Sequence, residues 1–442
     1  MSNTRIYIYK LLMKTEREGA FSNLVFDAAL SKQTQYDDRD RAFISTIFYG
    51  VLERRISLDY IIRKHSSIRL KKIQPEVLTI LRIAAYQLVF MDKVPDNAAV
   101  NEAVSMCKKL GYSRSAGFVN AVLRSITREN ERFPLPDKND LIKYFSVKYS
   151  CPENIISLWA EQYGLDIAQK MLEQLIGKPP MYVFVNTLKI TTEKLIEKFE
   201  KEGIRAERTC IPDSLRVYSN GSIIGNIMWR DGLFHVQDLS SQICCYLINV
   251  KNGDVVSDVC AAPGGKTLNL SRSIGNGKIY AYDQYKFKTD IIENNAKRLG
   301  VIGVTSAQRD AMSYAAPLEM SDKILCDVPC SGLGVLRRKP EIRYKEDTGV
   351  NALPEIQMSI LENSSRFVKP NGILVYSTCT LNKKENNENA ALFLERHNEF
   401  EAIPITIPKG IKRTIDEEEN CLTLFPQTNN TDGFFIAMFR KK

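Results

Sequence analysis

The sequence predicts an α/β protein in which a doubly wound, mostly parallel sheet follows an all-α domain and a small α+β segment. Three observations support this prediction. From Arg5 to about Asn130, apolar residues recur every three to four positions, as they do in amphipathic helices. From Asp254 onward, short apolar runs alternate with helical stretches, as in parallel sheets. The segment between these two regions mixes both patterns.

The all-α domain is predicted over residues 1–132, with breaks between helices at Gly19, Gly50, Pro75, Pro95 and Gly111. Residues 1–140 carry 23 Lys and Arg against 16 Asp and Glu, so most of the net charge of +9 lies in the first third of the chain. A basic domain of this kind favours a polyanionic partner, with nucleic acid as the first candidate. A solvated basic surface without a partner stays open as the alternative.

A polar, proline-bearing stretch at Glu131–Lys138 predicts a domain boundary. A helical plus small α+β connecting domain is predicted over residues 139–230. Its expected elements are helices around Ile155–Ile176, a strand at Tyr182–Asn186, a helix at Thr192–Glu202 with Thr191 as its cap, and a strand pair near Arg216–Val217 and Leu233–Val236.

The stretch Asp254–Thr267, DVVSDVCAAPGGKT, predicts a buried strand, a glycine turn and the start of a helix. Such a turn presents backbone N–H groups and a helix N-terminus to a ligand. A triphosphate-binding P-loop is excluded, because its first glycine would fall on Cys260. The dinucleotide motif G-x-G-x-x-G is also missing, since the turn holds only the adjacent pair Gly264 and Gly265.

Carboxylates follow the next predicted strands. Asp283 ends the strand Lys278–Tyr282 and lies 25 residues after Asp258, a spacing that suits hydrogen bonds from ribose hydroxyls. Asp310 is expected where a third strand ends, and its carboxylate suits the exocyclic amine of adenine. Acidic strand ends beside a glycine turn without a phosphate motif predict S-adenosyl-L-methionine as the cofactor.

Two cysteines follow the fourth and fifth predicted strands, Cys330 in DVPCSG and Cys379 in YSTC. Neighbouring strand ends lie close together in a parallel sheet, so both thiols are expected to face one pocket. Two thiols suit methylation at carbon 5 of a pyrimidine, since a thiolate that adds to carbon 6 activates carbon 5. Asp327 is placed to act as the acid near N3. Methylation of an exocyclic amine would instead favour an N/D-P-P-Y loop.

The motifs VCAAPGGKT, DVPCSGLGVLRRKPEIRY, YSTCTL and FPQTNNTDGFFIA resemble the RNA cytosine-5 methyltransferase family of the bacterial RsmB/Sun type. DRDRAFISTIFYGVLERRISLDYII, LRIAAYQLVFMDKVPDNAAVNEAV and GFVNAVLRSITRE resemble a NusB-like RNA-binding domain. Together these resemblances cover nearly the full chain. They imply a Rossmann-like methyltransferase domain over residues 231–442 and a cytosine of 16S ribosomal RNA, unpaired or flipped out, as the substrate.

The resemblance also implies roles for individual residues. Cys379 would be the attacking thiol and Cys330 the thiol that assists release. The chain departs from the family at Lys288, where many members carry arginine at the cofactor edge. The implied cofactor-binding residues are Cys260, Ala261, Ala262, Pro263, Gly264, Gly265, Lys266, Asp283, Lys288, Asp310 and Asp327.

The remaining expectations concern partners and location. Ten cysteines without a C-x-x-C motif and only three histidines predict no metal site. Without a long apolar run or a signal peptide, we expect a cytoplasmic monomer with no membrane partner. One alternative keeps the chemistry but moves the substrate to transfer RNA. The other is a non-catalytic ribosome-assembly or antitermination factor, which would not need the two thiols. For Tyr344 and Phe434, base stacking and core packing stay equally open.

Overall fold

A computed structural model divides the chain into two compact units. The first comprises Met1–Gly177 and Leu336–Glu346, and the second comprises Lys178–Val335 and Asp347–Lys442. The limits of the three predicted domains stay a prediction. The structure describes residues 4–18, 36–219, 221–313, 319–345 and 352–442, together with Ser22, Val25, Phe26 and Ala29. The predicted break at Gly19 lies outside these residues.

The first unit is helical in its described part, which confirms the predicted all-α class of this region. Its helices are α1 (Thr4–Glu18), α2 (Asp38–Glu53), α3 (Arg55–His65), α4 (Pro75–Phe90), α5 (Asp96–Lys109), α6 (Ala116–Arg128), α7 (Leu141–Tyr149), α8 (Glu153–Tyr163) and α9 (Leu165–Glu173). Pro75 is the first residue of α4, Pro95 caps α5, and Gly111 follows α5 with a φ of +89°. These three predicted breaks are confirmed, because proline suits a helix start and glycine a left-handed turn.

The predicted break at Gly50 is wrong, because Gly50 lies inside α2. This glycine serves close packing instead of a turn. A Cβ atom at position 50 would lie 2.0 Å from Cζ of Tyr86 on α4. Tertiary packing against the Tyr86 ring therefore explains a residue that the local sequence marks as a helix breaker.

The first unit also contains the short 3₁₀ turn Pro340–Tyr344. Arg343 is buried there and donates hydrogen bonds to the carbonyl oxygens of Glu53, Ser150, Leu175 and Leu336. The Tyr344 hydroxyl lies 3.2 Å from Ser150 Oγ, and the Arg55 guanidinium lies 5.1 Å from the centre of the Tyr344 ring. Packing within the helical unit therefore accounts for the position of the Tyr344 side chain.

The second unit begins with an antiparallel sheet in the order β2-β3-β1-β4. The strands predicted near Arg216–Val217 and Leu233–Val236 are present as β3 and β4. Their predicted pairing is wrong, because β1 lies between them, and β2 was not predicted. Thr191 does cap α10, since its hydroxyl accepts a hydrogen bond from the N–H of Lys194. The elements are β1 (Met181–Val185), α10 (Thr192–Lys201), β2 (Arg205–Arg208), β3 (Ser214–Tyr218), α11 (Ile227–Arg230) and β4 (Phe234–Val236).

The larger sheet of the second unit has the order β10-β12-β9-β8-β5-β6-β7, with β11 paired to β12. Pairs among β5 to β9 are parallel, and those that involve β12 are antiparallel. This confirms the predicted doubly wound, mostly parallel fold. The strands are β5 (Val255–Asp258), β6 (Lys278–Asp283), β7 (Val304–Gln308), β8 (Ser321–Asp327), β9 (Val368–Thr378), β10 (Phe400–Ala402), β11 (Cys421–Leu424) and β12 (Phe434–Lys441).

Helices accompany the strands of the larger sheet, and its central strands are buried. Val256, Leu325 and Val375, from three neighbouring strands, are fully shielded from solvent, as expected for parallel strands that helices cover on their faces. The helices are α12 (Leu239–Ile248), α13 (Gly265–Leu270), α14 (Lys286–Leu299), α15 (Leu353–Ser365), α16 (Asn387–Arg396) and α17 (Pro426–Asn429). Within the described ranges, every helix is too short or too polar to cross a bilayer.

Substitution of Gly50 by alanine should destabilise the protein, because the new methyl group and the Tyr86 ring cannot occupy the same space. We expect Gly50→Ala to lower the free energy of unfolding by about 1–3 kcal/mol, as overpacking does. Gly117, an exposed glycine of α6 with open space around it, provides the control. Gly117→Ala should stabilise the protein by roughly 0.5–1 kcal/mol. Urea denaturation of both variants is the measurement, and equal effects would contradict the packing argument.

Candidate active site

The predicted glycine turn connects the end of β5 to the start of α13 at the carboxyl edge of the parallel strands. The N–H of Ala261 donates to the carbonyl of Tyr282, 2.7 Å away, which ties the turn to the neighbouring strand β6. Gly264 has a φ of +98° and is the N-cap of α13. That conformation is accessible to glycine and strained for other residues, which explains the glycine at this position.

Two buried polar atoms beside this turn have no hydrogen-bond partner in the described structure. Asp258 is 1% exposed, and its Oδ2 accepts a hydrogen bond of 2.7 Å from Thr267 Oγ1, but its Oδ1 is unpaired. Gln237 is also buried, and its Nε2 is unpaired and lies 3.6 Å from the position of a Cβ atom on Gly265. Unpaired buried polar atoms are rare in native proteins. The turn is thus flanked by one vacant acceptor and one vacant donor.

An ion pair connects this turn to the end of β8. Lys266 Nζ lies 2.7 Å from Asp327 Oδ2, and Ser377 Oγ donates to Asp327 Oδ1, also at 2.7 Å. Burial disfavours the charged ammonium, but the Asp327 carboxylate outweighs it, so the pKa of Lys266 is raised. Phe434 is buried, and its ring centre lies 4.9 Å from Lys266 Nζ. Core packing against Lys266 therefore accounts for Phe434.

The other predicted carboxylates lie at the ends of β6 and β7. Asp283 is the last residue of β6, as predicted, and its Oδ1 lies 3.3 Å from Lys288 Nζ. Asp310 was predicted at the end of the third strand, but β7 ends at Gln308, two residues earlier. Asp310 Oδ1 accepts a hydrogen bond from the N–H of Met312. The structure therefore pairs Asp283 with Lys288, whereas Asp310 makes a local contact with its own loop.

The two predicted thiols lie in contact. Cys330 Sγ and Cys379 Sγ are 3.2 Å apart, although 49 residues separate them in the chain. The loop after β8 carries Cys330, and Cys379 directly follows β9. The hydrogen bond with Cys379 and burial raise the pKa of Cys330 well above that of an ordinary thiol. Cys330 is therefore a neutral thiol in this state, and either sulfur of the pair can be the hydrogen-bond donor.

The loop that carries Cys330 is held on both sides. Ser331 donates hydrogen bonds to Glu385 from its backbone N–H, at 2.9 Å, and from its hydroxyl, at 2.5 Å. The N–H of Gly334 donates to the carbonyl of Cys379 at 3.0 Å. A Cβ atom at Gly334 would lie 2.0 Å from the carbonyl oxygen of Gly433, so only glycine permits this approach.

Among the predicted site residues, the structure brings together Cys330 with Cys379, Lys266 with Asp327, and Asp283 with Lys288. The sequence pattern did not mark Glu385 or Gln237 as site residues, and Asp258 counted only as one of the acidic strand ends, without a role of its own. Asp258 could have been found, since it is the acidic residue at the end of the first parallel strand. Glu385 had no such signal, because only its tertiary contacts distinguish it from other glutamates. Within the described ranges, no cluster of three His, Cys, Asp or Glu residues suits a metal ion.

Comparison with known proteins places three families along the chain. Residues 245–440 match the family described as 16S rRNA methyltransferase RsmB/F, and residues 2–128 match the NusB family. Residues 151–223 match the ferredoxin-like domain of RsmF/B-like methyltransferases. The antiparallel sheet and its helix lie in and just beyond this third range.

Full-length relatives and solved structures agree with these matches. The chain is 33% identical to the probable ribosomal RNA small subunit methyltransferase B of Bacillus subtilis, covering 100% of this chain and 99% of that protein. The protein of the same name from Synechocystis is 30% identical over the full length of both chains. The crystal structure of PH0851 has a TM-score of 0.84, with 25% identity over 99% of this chain and 98% of that chain. A methyltransferase homologue from Pyrococcus horikoshii is 27% identical, with a TM-score of 0.60, over 69% and 99% of the two chains.

The buried carboxyl of Asp258 should make stability depend on pH. Burial raises the pKa of Asp258 to about 7 in the folded protein, against an ordinary value near 3.9. Because the folded pKa is the higher one, the stabilising contribution is present at low pH and is lost as the pH rises through 7. Relative to Asp258→Asn, the wild type should lose about 2–3 kcal/mol of unfolding free energy between pH 5 and 7. Urea denaturation of both proteins tests this, and a pH-independent difference would contradict it.

The contact between the two thiols should allow them to form a disulfide under mild oxidation. Diamide should convert Cys330 and Cys379 to a cross-link, with loss of two hydrogens, faster than it links any other pair of cysteines, because these two sulfur atoms are already 3.2 Å apart. Peptide mass spectrometry before and after reduction is the measurement. Cys330→Ser is the control and should give no such cross-link. A wild-type protein that keeps both thiols free would disprove the proximity.

Proposed function

Because the chain belongs to the 16S rRNA methyltransferase RsmB/F family, we propose that it transfers a methyl group from S-adenosyl-L-methionine to carbon 5 of a cytosine in 16S ribosomal RNA. The observation that carries this proposal is the pair of thiols, with Cys330 Sγ 3.2 Å from Cys379 Sγ. Asp327, the carboxylate at the end of β8, lies three residues before Cys330. A thiol pair and a carboxylate on neighbouring strand ends are the groups that this reaction needs.

The residues around the glycine turn suit the proposed cofactor. Its amino group can donate to the unpaired Oδ1 of Asp258, and its carboxylate can accept from the unpaired Nε2 of Gln237. The backbone from Cys260 to Lys266 would line the cofactor site, and Asp283 would accept hydrogen bonds from the ribose hydroxyls. Asp310 would accept one from the exocyclic amine of adenine, and Lys288, which is ion-paired with Asp283, would border the cofactor. When bound, the cofactor supplies an electrophilic methyl group on a positively charged sulfur.

Carbon 5 of cytosine needs activation, because it is a weak nucleophile. In the proposed mechanism, the Cys379 sulfur bonds to carbon 6 and the displaced electron pair moves into the ring. The proton that Cys379 loses as it attacks passes by way of the Asp327 carboxylate to N3 and neutralises the charge that develops there. The ion pair with Lys266 and the hydrogen bond from Ser377 hold the Asp327 carboxylate in place for this role. Carbon 5 then has enamine character and takes the methyl group.

Release reverses the addition. The bond between carbon 5 and its hydrogen breaks, its electrons re-form the double bond to carbon 6, and Cys379 leaves. Cys330, a neutral thiol beside it, gives its proton to the departing sulfur and takes the proton from carbon 5. The proton held at N3 returns to solvent, so the reaction releases one proton for each methyl group transferred. Both thiols end as they began.

The basic first third of the chain and its match to the NusB family support RNA as the partner. Transfer RNA is the alternative substrate, and a non-catalytic assembly factor is the alternative from another class. The thiol pair favours an enzyme over the second alternative, because RNA binding alone does not require two thiols in contact. A cytoplasmic monomer stays a prediction.

Substitution of the two cysteines should separate attack from release. Purified wild type, Cys330→Ala and Cys379→Ala are incubated with unmethylated 16S RNA and labelled cofactor. Cys379→Ala should abolish methyl transfer to cytosine and form no covalent adduct. Cys330→Ala should accumulate a denaturation-resistant protein–RNA adduct, because attack proceeds and release stalls.

Two results would contradict the proposal. Methylation of cytosine by Cys379→Ala would overturn the assigned nucleophile. Absence of transfer by wild type to 16S RNA, combined with transfer to transfer RNA, would overturn the proposed substrate while leaving the chemistry in place.

A further inference from the structure

Glu385 is a fully buried carboxylate that no step above uses. It lies at the end of a 3₁₀ turn, Lys383–Glu385, just before α16, and it is 0% exposed. Four donors satisfy its two oxygens. Oε1 accepts from Ser331 Oγ at 2.5 Å and from Asn382 Nδ2 at 3.0 Å. Oε2 accepts from the N–H of Ser331 and from Gln357 Nε2, both at 2.9 Å.

Burial of the Glu385 carboxylate costs free energy that packing alone would not require. Within the described residues, no Lys or Arg side chain forms an ion pair with Glu385, so hydrogen bonds alone stabilise its buried charge. A buried charge without a counter-ion costs more than a neutral side chain of the same shape. The negative charge itself is therefore the feature to explain.

We propose that Glu385 is a positioning residue for Cys330, which fixes the thiol against Cys379 and keeps its proton in place for the release step. Glu385 acts on Cys330 through Ser331, the next residue in the chain. The N–H and the hydroxyl of Ser331 both donate hydrogen bonds to the Glu385 carboxylate. Gln357 reinforces the hold, because its Nε2 also donates to the carbonyl of Pro329 on the other side of Cys330. Hydrogen bonds thus hold the loop at Pro329 and at Ser331, the two neighbours of Cys330.

The charge of Glu385 also acts on the ionisation of Cys330. A fixed negative charge near Cys330 disfavours its thiolate, and it adds to the stronger effects of the hydrogen bond with Cys379 and of burial that raise the pKa of Cys330. Glu385 thereby disfavours Cys330 as the attacking thiolate and leaves that role to Cys379. This inference rests on the proposed function for its meaning in catalysis, but the hold on the thiol can be measured without RNA.

Glu417 offers a matched control in the same unit. Its side chain is 1% exposed, and its two oxygens accept from the N–H and the hydroxyl of Thr423, at 2.8 and 2.7 Å. Glu385 and Glu417 therefore accept the same two hydrogen bonds from a hydroxyl residue, but Glu417 also forms an ion pair with Arg413 at 3.4 Å, and Thr423 does not adjoin a site cysteine. Glu385→Gln and Glu417→Gln make the same chemical change, and thermal unfolding shows whether both variants remain folded.

The first measurement uses no RNA. Full-length wild type, Glu385→Gln and Glu417→Gln are treated with iodoacetamide from pH 6 to 10, and alkylation of the Cys330 peptide is followed by mass spectrometry. Glu385→Gln should alkylate Cys330 at least about threefold faster near pH 8, because the thiolate fraction grows tenfold for each unit by which its pKa falls. Glu417→Gln should match wild type. Equal rates in all three proteins would overturn the inference.

The second measurement follows release. With 16S RNA and labelled cofactor, Glu385→Gln should lower turnover at least about tenfold and accumulate the protein–RNA adduct, with the KM for RNA little changed. Ser331→Ala, which removes one of the two contacts, should show the same effects more weakly and serves if Glu385→Gln unfolds. Normal turnover in both variants would overturn the inference. If Glu385→Gln changes the alkylation rate of Cys330 but the wild type methylates no RNA, the proposed function is wrong. The positioning of Cys330 by Glu385 would then still be supported.

Discussion

The parallel register of β8 and β9 is the constraint on which the candidate site depends. Asp327 pairs with Ser377 at the ends of these strands, so the loops that follow them begin at the same height on one edge of the sheet. The hydrogen bond from Ser377 to Asp327 runs between these two residues, and Cys330 meets Cys379 a few residues further on. A shift of this register by one residue would turn alternate side chains to the opposite face and separate both contacts.

Three buried or half-buried carboxylates at this edge have different environments and correspondingly different uses. Asp327 forms an ion pair with Lys266, which fixes the orientation of its carboxylate. Asp258 has one satisfied oxygen and one vacant oxygen, and burial holds its pKa near 7, which leaves an acceptor for a cationic group. Glu385 is saturated with donors and faces no vacancy, so it can act only through the residues it holds. The differences in function follow from the partners and not from the residue type.

Much of the fold and part of the site could be predicted from the sequence, because the signals are local. Period-two and period-3.6 patterns predicted the elements, and the turn before α13 and the two cysteines followed recognisable strand ends. The helix break predicted at Gly50 is wrong, because a glycine inside a helix that makes room for the Tyr86 ring looks the same in the local sequence as a glycine that ends a helix. The strand pairing around β1 was read wrongly because sequence order does not specify which strands become neighbours. Glu385 was missed because burial of a glutamate is a property of the surrounding chain.

The sequence by itself determined the types of chemical group available and the elements that carry them, since periodicity, turn residues and motif spacing are written along the chain. It placed Cys330, Cys379, Asp327 and Lys266 at strand ends or turns of one parallel sheet. Only the tertiary structure decided which of these groups touch and in which ionisation state. Contacts such as that between the two thiols, or between Ser331 and Glu385, join residues about 50 positions apart. Distances and pKa shifts of this kind depend on strand register and burial, which the sequence encodes only through the folded chain as a whole.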